Sequence, residues 1–223
     1  MSLLGFVKIS SVTLFVLIGL SACFDKAGSL KPLKIVCLGD SITYGYKLAD
    51  PAKQSYPAQL ARLSRGQWNV LNSGVNGATV LNRGDIPITA QDAYERAIKS
   101  QPDIVILMLG TNDTKNRNWQ YVDEFVGDYI KLVETFRDLP SNPHVIACSV
   151  PPILGDFSNG INTKRAKEIN SLLKRAIKVS RVDSLNIYTP MSQNKSFFID
   201  GVHPNVRGAQ EIAGLVLEKI SGL

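Results

Sequence analysis

The chain has 223 residues, 44% of them apolar and 20% charged, with 25 Lys and Arg against 19 Asp and Glu for a net charge of +6. That length and apolar content suit one domain with a full hydrophobic core and exclude a disordered chain. Three cysteines cannot build a disulfide framework, two histidines do not suit a His-rich metal site, and the 17 Gly and 11 Pro follow no repeat.

The first element in chain order is a leader. Residues 9–22 (ISSVTLFVLIGLSA) form an apolar run behind Lys8; a membrane-spanning helix needs about 20 apolar residues, so the run has the length of a signal-peptide core. It ends in Leu20-Ser21-Ala22-Cys23, which resembles the lipobox of bacterial lipoproteins. That resemblance implies cleavage before Cys23 and lipidation of its thiol. The expectation is an exported, membrane-anchored lipoprotein, periplasmic or on the cell surface: residues 1–22 as signal peptide, 23–33 as lipidated cysteine and tether, 34–223 as the working domain. An ordinary signal peptide with an incidental cysteine, or an uncleaved anchor, fits the same run.

Past the tether, strands and helices alternate. Lys34–Leu38, Trp68–Leu71, Ile104–Leu109, His144–Val150 and Leu185–Tyr188 read as strands. Ile104–Leu109 (IVILML) is apolar throughout, as expected of a strand covered on both faces. Tyr56–Leu63, Gln91–Ser100, Trp119–Leu139, residues 163–182 and Val206–Ile220 carry apolar residues at helical spacing. Lys164, Lys167, Lys174 and Lys178 fall along one side of the helix over 163–182; no aromatic platform accompanies them, so they read as a solvated face and no nucleic-acid partner is expected. The alternation predicts a three-layer α/β/α sandwich around a five-stranded parallel sheet in the flavodoxin-like order 2-1-3-4-5. Cys37 and Cys148 then lie on strands separated by a third, too far apart to bridge, and are expected as buried free thiols.

In such sheets ligands bind beyond the carboxyl ends of the strands. Four polar segments follow strands: Gly39-Asp40-Ser41, Asn72-Ser73-Gly74-Val75-Asn76-Gly77, Gly110-Thr111-Asn112-Asp113 and Asp200-Gly201-Val202-His203-Pro204. Together they hold the parts for acyl transfer through a serine. A serine hydroxyl needs a base. Of the two histidines, His144 opens a strand at the wrong end of the sheet, which leaves His203, with Asp200 three residues earlier to orient the ring. The negative oxygen formed by attack needs donors, and the Ser41 N–H, the Gly77 N–H and the Asn112 amide are the candidates.

These segments resemble the conserved blocks of the SGNH hydrolases, the GDSL-type esterases and lipases, over residues 34–216. The resemblance implies Ser41 as nucleophile, Asp200 and His203 as the rest of the triad, Ser41, Gly77 and Asn112 as the oxyanion hole, and no metal or organic cofactor. Ile42 stands where the family usually has Leu. Rival chemistries find no support: there is no G-x-S-x-G, Gly39–Gly45 lacks the ending of a phosphate loop, and no G-x-G-x-x-G follows a strand. The expected substrate is a small-molecule or glycan ester, foremost an acetylated carbohydrate, with Tyr44, Tyr46, Tyr56 and Trp119 near the rim as candidates to stack on sugar rings. The alternatives are a lysophospholipase, thioesterase or short-chain lipase and, in a different class, a non-catalytic glycan-binding lipoprotein.

Overall fold

A computed structural model describes residues 31–223. The expected signal peptide and Cys23 lie outside the described residues. In chain order the elements are β1 (Leu33–Gly39), α1 (Ser41–Tyr44), α2 (Pro51–Gln54), α3 (Tyr56–Leu63), β2 (Trp68–Gly74), α4 (Asp92–Lys99), β3 (Ile104–Met108), α5 (Asn116–Trp119), α6 (Phe125–Arg137), β4 (His144–Cys148), α7 (Thr163–Ser180), β5 (Asp183–Leu185), α8 (Tyr188–Ser192) and α9 (Val206–Ser221). The sheet order is β2-β1-β3-β4-β5 and every pairing is parallel, as the alternation predicts.

Period-two alternation sorts each central strand onto two faces. Val36, Leu38, Val105, Leu107, Val145 and Ala147 meet α4, α6 and α7 on one side, where Phe125, Tyr129, Val133 and Phe136 fill the core. Ile35, Cys37, Ile104, Ile106, Ile146 and Cys148 meet α3, α8 and α9 on the other, against Tyr56, Leu60, Ile212 and Val216. β3 is buried on both faces along its whole length. Fully burying a Leu, Ile or Phe contributes about 1.5–3 kcal/mol, so two continuous layers hold the strand ends in place without disulfides. Cys37 and Cys148 are free and buried.

Three local expectations change. The fifth strand occupies Asp183–Leu185 rather than Leu185–Tyr188, because the Ser149 hydroxyl accepts the Ile187 and Tyr188 N–H groups at 2.9 Å each and turns the chain into α8. The helix expected over Trp119–Leu139 is interrupted. α5 ends at Trp119, a 3-10 turn covers Val122–Glu124, and α6 starts only at Phe125; Asn118, inside α5, has its side chain committed to Asp85 and to the Asn112 carbonyl. Tyr56, expected near the rim, is a core residue beneath α1, with 1% of its surface exposed. The lysine face of α7 is exposed, as a solvated face should be.

Candidate active site

The site is assembled where strands end. β1 stops at Gly39 and Asp40 caps α1, its Oδ1 accepting the Ile42 N–H at 2.9 Å. Ser41 is therefore the first helical residue, at a position whose N–H has no intrahelical acceptor. α1 sits on the end of β2, where a Cβ on Gly74 would collide with the Tyr44 backbone. Asn72 holds it there, donating from Nδ2 to the Thr43 carbonyl at 2.9 Å.

The base arrives from the far end of the chain. Asp200 Oδ1 accepts the backbone N–H groups of Val202 and His203 at 3.0 and 2.8 Å, which folds Asp200–His203 into a tight turn. The turn sets the imidazole against its own carboxylate, with Nδ1 2.9 Å from Oδ2 and 3.2 Å from Oδ1. An ionised carboxylate only accepts, so Nδ1 carries the hydrogen and Nε2 is left as an acceptor. Nε2 lies 3.0 Å from Ser41 Oγ, within reach for proton transfer. Ser41 is nearly buried, and its contact with His203 joins residues 162 positions apart.

Gly77 and Asn112 border the same cleft, about 450 Å³ in volume, together with Ser41 and His203. Gly77 adopts φ +84°, in the left-handed region that favours glycine. Asn112 donates one amide hydrogen to the Ala78 carbonyl at 3.1 Å, and a primary amide carries a second. The loop bearing Gly77 is stitched to the Asn112 turn. Asp113 accepts the N–H groups of Val80 and Leu81 at 3.2 and 2.9 Å, and Asn118 bridges Asp85 and the Asn112 carbonyl, both at 2.8 Å.

All five residues singled out from the sequence, Ser41, Gly77, Asn112, Asp200 and His203, thus meet at one rim. Of the aromatic candidates, Tyr46 joins the wall of the cleft with its ring edge-on to His203 at 4.9 Å between centroids. Tyr44 is exposed at 44%, and Trp119 lies beneath the Arg165 guanidinium at 4.8 Å. The sequence reading missed the supports: Asn72, Asp113, Asn118 and Lys47. Asp113 had a visible signal in its position directly after Asn112. Asn72 stood in the polar segment after β2, though its partner Thr43 lies 29 residues away; Asn118 and Lys47 had no such signal, because Asp85 lies 33 residues from Asn118 and Lys47 meets a carboxylate from the last loop.

Charge within the site is distributed unevenly. Burial pushes the Asp113 carboxyl up to about 7, against the opposing bonds from Leu81 and Val80 N–H. Burial likewise pushes Asp40 up to about 6 despite the Ile42 N–H and the nearby His203. At Asp200, burial also acts upward, but the Lys47 ammonium, the His203 N–H and ring, and the Val202 N–H outweigh it and hold the carboxyl well below the usual range. Burial pushes the Cys37 thiol up to about 12 and Cys148 higher still, so neither is a nucleophile at neutral pH. No cluster of three or more His, Cys, Asp or Glu that could hold a metal exists among the described residues. A second cleft of about 440 Å³, between α7 and the β5–α8 segment, contains no nucleophile–base pair.

The sequence pattern of the GDSL-like Lipase/Acylhydrolase family matches residues 37–211. An acetylxylan esterase from Xylanibacter ruminicola is 31% identical over an alignment of 207 residues that covers 84% of this chain and 43% of that protein. A multidomain esterase from Ruminococcus flavefaciens is 26% identical over 227 residues, covering 85% of this chain and 28% of that protein. The chain spans less than half the length of these curated relatives. Among solved structures, a carbohydrate acetylesterase from Sinorhizobium meliloti superposes with a TM-score of 0.66 at 22% identity, covering 85% of this chain and 99% of the other, which is a likeness of fold.

Proposed function

We propose that this chain, which belongs to the GDSL-like lipase/acylhydrolase family, is a serine esterase that removes acetyl groups from carbohydrate. The observation that carries the reading is the 3.0 Å contact of Ser41 Oγ with His203 Nε2, on a ring whose other nitrogen is held by Asp200. Nε2 takes the hydroxyl proton as Ser41 Oγ bonds to the ester carbonyl carbon, and the carbonyl π pair moves onto oxygen. The Ser41 N–H, the Gly77 N–H and the Asn112 amide receive that negative charge. The intermediate collapses, the carbon–oxygen bond to the sugar breaks, and the imidazolium returns its proton to the departing alkoxide. Water attacks the acyl-enzyme through the same imidazole, releasing acetate and restoring Ser41.

Two observations favour a sugar ester over a lipid. The cleft walls include Asn76, Asn112, Lys115 and Asn159 beside Tyr46, Phe157, Ile161 and Val202, a mixture suited to a polar ring with an apolar face. A relative at 31% identity is named an acetylxylan esterase. The test is hydrolysis of chromogenic esters of increasing acyl length, followed by acetate release from acetylated xylan, pectin and sialic acid. Acetyl esters should turn over fastest, and Ser41→Ala should abolish turnover without lowering the melting temperature. Full turnover by that variant overturns the mechanism, and a preference for long acyl chains overturns the substrate. Cys23, in Leu20-Ser21-Ala22-Cys23, is the proposed site of lipidation after export; palmitate labelling that persists in Cys23→Ser would refute it.

A further inference from the structure

Asp200 has more partners than the orientation of one imidazole requires. Its Oδ2 lies 2.9 Å from His203 Nδ1 and 2.7 Å from the Lys47 ammonium, while Oδ1 takes two backbone N–H groups. Lys47 stands only six positions after Ser41. Gly45 and Tyr46 both donate their N–H groups to the Ser41 carbonyl, at 3.0 and 2.9 Å, which closes α1 and sends the chain back over the site. Lys47 itself adopts φ +68°, in the left-handed region that a non-glycine residue rarely occupies. The preceding residue, Tyr46, lays its ring edge against the imidazole. One short loop, covalently continuous with the nucleophile helix, therefore touches both members of the Asp200–His203 pair.

We propose that Lys47 is a positioning residue of this centre: its ammonium shares Asp200 Oδ2 with the His203 ring, locks the carboxylate to the loop that carries Ser41, and weakens the hold of that carboxylate on the imidazolium proton. The proposal rests on the esterase reading for its kinetic consequences only. The groups that face His203 from every side are Asp200 on its own turn, Ser41 and Asp40 from the β1–α1 junction, Tyr46 and Lys47 after α1, and Lys115 across the cleft, itself paired with Asp85 at 3.3 Å. The remaining wall, Phe157, Asn159 and Ile161, brings no titratable group. Of the two ammonium groups, Lys47 is the one bonded to the triad carboxylate.

The Lys47 side chain is 42% exposed, so solvent screens its charge and the electrostatic effect is modest. In Lys47→Met, kcat on a short acetyl ester should fall about threefold to tenfold with KM little changed, as expected when a charge-assisted bond to a positioned carboxylate is lost. The acid limb of kcat/KM should move to higher pH by about 0.2–0.7 unit, because a carboxylate relieved of its lysine binds the imidazolium proton more tightly. Lys47→Arg should restore both. NMR titration of the imidazole signals provides a readout independent of turnover, with His144 as an internal reference: the His203 midpoint should rise in Lys47→Met and the His144 midpoint should stay. Parental kcat and acid limb in Lys47→Met, or an unmoved His203 titration, overturns the proposal. If the parent protein hydrolyses no ester, the esterase reading fails, and the NMR arm still decides the role of Lys47.

Discussion

The two ends of the sheet hold the same three side chains in the same pairing. At the carboxyl ends, His203, Asp200 and Lys47 cluster with contacts of 2.9 Å and 2.7 Å on one carboxylate oxygen. At the amino ends, His144, Asp183 and Lys219 cluster likewise, but through His144 Nε2 rather than Nδ1, at 3.1 Å and 2.9 Å on Asp183 Oδ2. In both, the lysine and the imidazole help hold the carboxyl below its usual range. What lies beyond the ring differs as well. The His203 side chain is 16% exposed and meets Ser41, whereas the His144 side chain is 44% exposed. A His–Asp contact is thus an ordinary product of polar chemistry at a strand end. A hydroxyl on the second nitrogen and partial exclusion of solvent set the first cluster apart, and on them the proposed acyl transfer rests.

Substitution at the two rings should separate the clusters most sharply. His203→Ala should lower kcat/KM by on the order of 10⁴-fold or more, while His144→Ala leaves the rate unchanged and shifts stability by no more than about 1 kcal/mol. Steady-state kinetics and urea unfolding of the pair check this, and comparable rate losses at both positions would erase the distinction. A smaller loss, on the order of 10²–10³ in kcat, is expected for Asn112→Ala, whose amide is the proposed oxyanion donor. An unchanged kcat would remove Asn112 from that role.

The third test concerns stability and its dependence on pH. Asp113 is raised to about 7 in the folded protein from an ordinary value of 3.8, so the folded state binds its proton more tightly than the unfolded chain does. The contribution is fully present below about pH 4 and is lost as pH rises through about 7, amounting to roughly a few kcal/mol. Asp200 has the opposite sign: its depressed carboxyl stabilises the fold above its ordinary pKa of 3.8, and this is lost as pH falls. Urea unfolding at pH 4.5 and 7.5 should show parent protein losing stability toward the higher pH, and Asp113→Asn losing less. Equal losses in both would assign the slope to another group, Asp40 first, since it is raised in the same way to about 6.

Much of this architecture was legible from residue order. Apolar runs such as Ile104–Met108 can only be strands covered on both faces, and their alternation with amphipathic segments leaves the parallel sheet as the economical arrangement. The site residues were legible for a related reason: Ser41, Gly77 and Asn112 lie within a few residues of the ends of β1, β2 and β3, which share one rim, whereas Asp200 and His203 come 15 or more residues after β5, beyond α8. Where the reading slipped, a side chain had overruled a local pattern. Ser149 ended the sheet three residues earlier than the apolar run suggested, the turn after Trp119 delayed α6 to Phe125, and Tyr56 was drawn into the core.

By itself, then, the sequence determined which residues occupy the rim and which of two histidines stands there, since both follow from periodicity and strand direction along the chain. Only the tertiary structure decided that Asp200 divides one oxygen between an imidazole and an ammonium, that Asp113 anchors the Gly77 loop, and that Tyr46 braces the base. Those contacts are set by side-chain direction to within a few tenths of an ångström, between segments joined by no local pattern. Close packing of the two core layers, rather than any spacing in the chain, supplies that precision.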